Sequence, residues 1–228
     1  MYQLHIANKN YSSWSLRPWV LLRQLAIPFA EQLHEFSADP ASRAFFAFSP
    51  TGKVPCLHDG ATVIYDSLAI VEYLAEHHTG VWPADAAARA WARCACAEMH
   101  SGFDALRSSC SMNCGLRVRL HQLSPALHAD LARLDELWSE GLRRFGGPFL
   151  AGEHSSAVDA FYAPVAFRIQ TYQPPLTDTA KAYVQRLLDL PAMRQWYADA
   201  LSETWRDQGH EDDIARCGIL TEDLRQRG

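Results

Sequence analysis

The hydrophobic pattern of this chain changes once, at Thr79-Gly80-Val81-Trp82-Pro83, and that change constrains the fold more than any other feature. Before it, short strand-like runs alternate with runs of helical period. Tyr2 to Ala7 and Glu31 to Phe36 read as strands, while Leu16, Val20, Leu21 and Leu25 recur at helical spacing. That helix stops by Ile27-Pro28, because proline disfavours helix in the residue before it. Pro40 to Phe46 reads as a loose helical stretch. Val54 to Leu57 and Thr62 to Tyr65 flank Asp59-Gly60, a hairpin signal, and Ser67 to His77 follows as a helix carrying Leu68, Val71, Tyr73 and Leu74. The order βαβαββα describes a small α/β layer with one mixed sheet.

After the change, helical spacing and strong helix formers dominate Ala86 to Ser108, Ser124 to Phe145, Ser156 to Tyr172, Thr179 to Leu188 and Pro191 to Leu201. The expected organisation is an α/β domain over 1–80, an all-α domain over 85–205 and a charged tail over 206–228. The tail's own pattern does not say whether it docks.

Charge and cysteine content narrow the function classes. Of 228 residues, 21 are Lys or Arg and 26 are Asp or Glu, a net charge of −5, which is the wrong balance for a surface that neutralises phosphates; no nucleic-acid partner is expected. No window reaches the roughly 18 to 20 apolar residues that span a bilayer, so no membrane insertion is expected. The start, Met1 to Lys9, has neither a basic leader nor an apolar run, and no export signal is read there. Cys56, Cys94, Cys96, Cys110, Cys114 and Cys217 are accordingly expected as thiols in a reducing compartment, the cytoplasm.

Four short motifs carry the chemistry. Ser12-Ser13-Trp14-Ser15-Leu16-Arg17 opens the first helix, Lys53-Val54-Pro55 precedes the third strand, Asp66-Ser67-Leu68-Ala69-Ile70 opens the next helix, and Gly152-Glu153-His154-Ser155-Ser156-Ala157-Val158-Asp159 opens a later one. Read from the residues alone, serines and aspartates at helix starts are N-caps, and Ser15 suits that role because Pro18 then falls in the first turn. In this order and at these separations, however, the motifs resemble the cytosolic glutathione S-transferases, in particular bacterial, serine-type members with a zeta-like N-terminal motif. The likeness runs from Tyr2 to about Leu201 and implies a thioredoxin-like domain followed by a helical domain.

The resemblance implies glutathione as co-substrate, no metal, and activation of its thiol. A thiol of cysteine type has a pKa of about 8.5, so the protein must stabilise the thiolate. A helix N-terminus and a hydroxyl donor both favour the anion. In the zeta run Ser-Ser-Cys-Ser-x-Arg the first serine bonds the sulfur, which is Ser12 here; Tyr11 is the competing hydroxyl. Trp14 replaces the zeta cysteine, and the absence of cysteine before Cys56 removes a disulfide mechanism at this helix. Val54-Pro55 resembles the family's cis-proline, whose free backbone groups bind the peptide like an added strand. Lys53 stands near the place of the glycyl carboxylate. Asp66 and Ser67 form an anion site for the γ-glutamyl end, with Asp66 standing where most relatives carry Glu or Gln.

Ser156 and Asp159 fit a capping box, so Ser156→Ala is expected to cost about 1 kcal/mol of stability. By position in the resemblance, Trp14, Phe103, Arg107 and Met112 face the electrophile. Phe45, Phe46 and Phe48 are either local core or an exposed patch, and the family pairs through this side, implying a homodimer. Cys94 and Cys96 point about 200° apart on a helix and do not share one metal ion. The readings that follow are a glutathione transferase acting on an electrophilic small molecule, a glutathione-dependent cis-trans isomerase of maleylacetoacetate type, with Arg107 or Arg168 as cationic groups, or a non-catalytic binding module.

Overall fold

In the computed structural model, which describes residues 1–37, 39 and 41–226, the small domain is a four-stranded mixed sheet in the order β2-β1-β3-β4. β1 (Tyr2–Ala7) is central, parallel to β2 (Phe29–His34) and antiparallel to β3 (Cys56–Asp59); β3 pairs with β4 (Thr62–Tyr65) across the Asp59-Gly60 turn. Leu4, Ile6 and Ala7 have no exposure because helices cover one face of the sheet and the 44–49 segment the other. α1 (Ser13–Gln24) and α2 (Ser67–His77) supply those helices.

Two expectations in this domain are revised. Between β2 and β3 the chain makes only a single 3-10 turn, Ala44–Ala47, in place of a helix; Pro40, where the expected helix began, lies outside the described residues. α1 begins at Ser13, not after Ser15, so the N-cap position belongs to Ser12. The Leu16 amide closes the first turn onto the Ser12 carbonyl at 3.2 Å. Pro18 therefore sits inside the helix and removes the amide that would bond the Trp14 carbonyl.

The second half is helical: α3 (Ala86–Ser101), α4 (Asp104–Ser109), α5 (Pro125–Phe145), α6 (Ala157–Tyr172), α7 (Asp178–Leu188), α8 (Pro191–Ser202) and α9 (Gln208–Cys217). The long helix expected over Ala86 to Ser108 breaks at Gly102-Phe103, where Phe103 is left-handed at φ 59°. Two polar side chains take up the freed groups. Asp130 accepts from the Leu106 amide at 2.9 Å, and Arg107 reaches the Met99, His100 and Gly102 carbonyls at 3.3 to 3.5 Å.

One feature departs from the all-helical pattern. β5 (Leu116–Leu120) pairs antiparallel with β6 (Gly218–Asp223), so the charged tail docks as α9 and β6. Leu116-Arg117-Val118-Arg119-Leu120 does alternate with period two, but its partner lies about a hundred residues away in sequence.

The helical half grips the sheet domain through α1. Trp19 on α1 meets Trp196 on α8 edge to face at 5.1 Å, and the buried Lys9 ammonium lies 5.0 and 5.5 Å from these two rings. Lys9 also pairs with Glu31 at 2.8 Å and Asp199 at 2.7 Å, joining β2 to α8. α6, almost wholly buried, runs against α1 and carries Phe161 and Arg168 toward its N-terminal half. Among the described residues no helix is long and apolar enough to cross a membrane.

Candidate functional site

Two cavities meet at the N-terminus of α1. One, about 500 Å³, is lined by Trp14, Thr51, Lys53, Val54, Pro55, Tyr65, Asp66 and Ser67. The other, about 420 Å³, is lined by Tyr11, Ser12, Ser13, Trp14, Phe36, Phe45, Lys53, Val54, Met112, Arg168 and His210 among others. Trp14, Lys53 and Val54 belong to both. The pair therefore forms one bent cleft, with a polar arm over the sheet domain and a more aromatic arm toward the helical half.

The polar arm lies against the cis-proline strip and the N-terminus of α2. The Val54–Pro55 bond is cis, which turns the strip before β3 toward the cavity. Asp66, at φ 75°, caps α2 by accepting from the Leu68 amide at 2.8 Å. Its other oxygen meets His100 Nε2 at 3.3 Å. Ser67 is buried and its hydroxyl accepts from Arg17 at 3.4 Å. An α2 N-terminus with a serine hydroxyl is a site for a carboxylate, and the exposed Lys53 ammonium offers a second point of charge.

The hinge between the arms carries positive charge. The Trp14 ring lies between the Arg17 guanidinium at 4.0 Å and that of Arg107 at 4.2 Å, with the His100 ring against its edge at 5.2 Å. Arg17 is 3% exposed and its Nε has no partner. Burial, then the neighbouring Arg107 charge, push Arg17 down to about 9, and burial pushes Arg168 down to about 10, so both stay cationic at neutral pH. Arg168 bonds the Cys110 carbonyl and reaches Ser13 Oγ at 3.3 Å. Arg168 on the cavity wall, beside a helix N-terminus with no acidic residue in its first turn, favours an anion there, and Arg17 and Arg107 add positive charge from behind Trp14.

The serines divide the work unexpectedly. Ser12 is buried and its hydroxyl donates to Ser15 Oγ at 2.7 Å, while Ser15 Oγ accepts from the Ala7 amide at 3.4 Å. Ser13 is half-buried and accepts from Arg168, which leaves its own proton free to donate into the cavity. Tyr11 lines the cavity, but its hydroxyl donates to Glu211 at 2.6 Å, and burial with that carboxylate raises its pKa far above the ordinary phenol. The competing hydroxyl is thus already engaged.

Two expected electrophile contacts are corrected. Phe103 is 6% exposed and packs in the core, because the Gly102-Phe103 break turns its ring inward. Arg107 stands behind Trp14, its guanidinium spent on the ring and on the carbonyls of the broken helix. Trp14 and Met112 do line the cleft. Phe36, Phe45, Ser111, Arg168 and His210 line it as well; of these the sequence points to Arg168 as a cationic group and to Phe45 only as core or interface. Of the three aromatics near residue 46, Phe48 stacks on His5 at 4.4 Å and His34 at 4.2 Å, and Phe45 faces the cleft; Phe46 alone is exposed.

Comparison with known proteins converges on this geometry. Residues 11–77 match the family model for the glutathione S-transferase N-terminal domain, and residues 119–199 that for the C-terminal domain. A glutathione transferase homolog from Burkholderia gl BGR1, crystallised with bound glutathione, is 21% identical, with 87% of this chain and 97% of that one covered at a TM-score of 0.62. The theta class enzyme of Xanthomonas axonopodis pv. citri, also with glutathione bound, is 21% identical over 86% and 96% of the two chains at 0.63. A dichloromethane dehalogenase of Methylorubrum extorquens is 36% identical over 59 residues, which is 25% of this chain and 20% of the relative's length. With both halves of the chain matched in order, and the cis-proline and helix N-termini placed around one cleft, the chain belongs to the glutathione S-transferase family.

Proposed function

We propose that the protein is a glutathione transferase that binds glutathione in the polar arm, generates its thiolate at the α1 N-terminus and directs it onto an electrophilic small molecule in the aromatic arm. The observation that carries this reading is the junction itself: the strip Lys53-Val54 and the Trp14 ring line both arms, so a ligand held on one side presents its end to the other. Val54 supplies free backbone groups beside the cis-Pro55 bond, Asp66 and Ser67 take the γ-glutamyl end, and Lys53 takes the glycyl carboxylate.

The sulfur lies between Ser12 and Ser13. Ser12 donates to it once its hydroxyl turns off Ser15, a rotation about one bond, and Ser13 donates with Arg168 polarising it. Arg168, buried in the cavity wall, and Arg17, buried behind Trp14, add fixed positive charge, and their burial keeps that charge from being screened by water. The protein thereby supplies thiol activation and proximity. Trp14, Met112, Phe36 and Phe45 give the electrophile apolar contact.

Arg168 also favours the isomerase reading, since no carboxylate bonds it among the described residues and it faces the cavity where a dicarboxylate would sit. Net consumption of glutathione marks the transferase; its recovery unchanged marks the isomerase. Titrating the ultraviolet thiolate absorbance of bound glutathione tests the core of both. A bound-thiol pKa well below that of free glutathione, rising in Ser12→Ala, supports activation, whereas an unshifted pKa in wild type points to the non-catalytic binding module.

Phe46, with Leu33, Val63 and Tyr65, leaves apolar surface on the sheet domain, and a second copy of the chain covers it in this proposal. A monomeric mass at micromolar concentration would sink that. All six cysteines are free thiols, which suits a cytoplasmic protein.

A further inference from the structure

The charged tail delivers a side chain to the cleft that no motif announced. Asp207 caps α9, accepting from the His210 backbone amide at 3.0 Å, and the same carboxylate oxygen lies 2.5 Å from His210 Nδ1. That contact fixes the imidazole with Nδ1 on the carboxylate and Nε2 free of it. The ring is held on both flanks, by Tyr11 at 4.9 Å and 25° and by Phe36 at 5.1 Å and 34°. The Tyr11 flank is itself pinned, since its hydroxyl bonds Glu211 and Arg225 ties Glu211 to Asp223. His210 lines the same cavity as Ser12, Ser13 and Arg168. A carboxylate on one imidazole nitrogen, on a ring that lines the cavity where the proposed function puts the thiol, is the arrangement of a general base.

We propose that His210 is the proton carrier of the reaction and that Asp207 positions it; addition to a double bond conjugated to a carbonyl, which must take up a proton, is the reaction in which that role shows most. The proposal rests on the glutathione transferase reading. The step balances without any further reactant. The thiol S–H bond breaks and its proton passes to His210 Nε2; a sulfur electron pair forms the C–S bond at the β-carbon. The C=C pair moves into the enolate, whose oxygen the Arg168 charge stabilises. Nε2–H then returns the proton to the α-carbon, so nothing leaves and nothing is oxidised. Asp207 offsets the charge on the imidazolium between the two transfers. The charged and titratable groups around His210 are Asp207 and Glu211 on its own helix, Tyr11 from the β1–α1 loop, Arg225 behind Tyr11, and Arg168 and Lys53 across the cavity.

The test compares wild type, His210→Gln, His210→Phe and Asp207→Asn with glutathione and two electrophiles, an enone (4-phenylbut-3-en-2-one) and an aryl chloride (1-chloro-2,4-dinitrobenzene) whose halide leaves without a proton. Both His210 variants are expected to lose enone kcat by about 100-fold. KM for glutathione should stay near wild type, and the acid limb of the pH profile should move to higher pH, because the thiol must still ionise but has lost its base. Asp207→Asn is expected to lose about tenfold and to move that limb less far in the same direction, while the aryl chloride falls less than the enone in every variant. His210→Phe keeps an aromatic ring between Tyr11 and Phe36, so enone activity restored in it would show a packing role and overturn the proposal. An enone kcat and pH profile unchanged in His210→Gln would overturn it as well. Thiolate absorbance of bound glutathione separates the two levels. An undepressed thiol pKa in wild type removes the transferase reading and this proposal with it, whereas a depressed pKa with indifferent His210 variants removes this proposal alone.

Discussion

α1 and α6 both carry serine at the N-cap, and their N-termini do opposite things. At α6, Ser156 and Asp159 hold the Ncap and N3 positions of a capping box. Asp159 accepts from the Ser156 amide at 2.9 Å, from the Leu150 amide at 3.1 Å and from the Tyr183 hydroxyl at 2.8 Å, all buried. At α1 no side chain caps the helix, no acid stands in the first turn, and Ser12 and Ser13 line a cavity that Arg168 also lines. A helix N-terminus leaves unpaired amides that something must satisfy. At α6 a buried side chain does this and the helix end holds the fold; at α1 only backbone carbonyls take the Ser12 and Ser13 amides, and the end lies at the cavity wall.

The sharpest way to break this contrast is to remove the acid that α1 lacks and α6 has. Asp159→Ala should cost about 3 to 4 kcal/mol in urea denaturation at neutral pH, because two buried amides and a tyrosine hydroxyl lose their acceptor. A loss below about 1 kcal/mol would mean that the α6 end is not what holds this region.

A second measurement uses pH. Burial raises the Asp159 carboxyl to about 6, against its own backbone hydrogen bonds, so the fold favours its protonated form relative to the unfolded chain. Stability from that preference is fully present below the unfolded carboxyl pKa and is lost as pH rises through about 6. The stability difference between wild type and Asp159→Ala should therefore widen by about 2 to 3 kcal/mol on going from pH 7 to pH 4. Taking the difference cancels groups common to both proteins, including His5, which burial lowers to about 4 and which acts in the opposite sense. A constant difference across that range contradicts the burial argument.

At α1 the same logic predicts a functional loss without a structural one. Ser12→Ala and Ser13→Ala should each raise the pKa of bound glutathione by about one unit, roughly 1.4 kcal/mol, while the urea midpoint stays near wild type. A rise in only one variant would tell which hydroxyl meets the sulfur. A falling midpoint with an unchanged thiol would turn α1 into a second α6.

The smallest effect is expected at Ser156→Ala. The sequence reading assigned about 1 kcal/mol to this cap. In the structure Ser156 Oγ is buried without a hydrogen-bond partner, and the Asp159 half of the box carries the contact, so the cost should be under about 0.5 kcal/mol. A cost near that of Asp159→Ala would restore the hydroxyl to the box.

Much of the polar arm was legible because it is made by short local motifs. Val54-Pro55 and Asp66-Ser67 each act within a few residues, and both line the same cavity. The aromatic arm was legible only in part, at Tyr11, Trp14 and Met112, since its residues come from five stretches far apart in the chain. Phe103 sat at helical spacing with Arg107, and only the left-handed turn at φ 59° sends its ring into the core. His210 carried no signal beyond a charged tail.

The sequence by itself determined the change of pattern at residues 79–83, the strand and helix order, and the serines and proline around which the cleft is built, because hydrophobic period, turn chemistry and capping act over a few residues. Only the tertiary structure decided which hydroxyl is free, which arginine faces the cavity, and that the tail folds back. Those outcomes depend on contacts such as Arg168 with Ser13, Glu211 with Tyr11 and β6 with β5, whose partners lie about a hundred to two hundred residues apart. No local propensity encodes a pairing at that range; packing alone selects it.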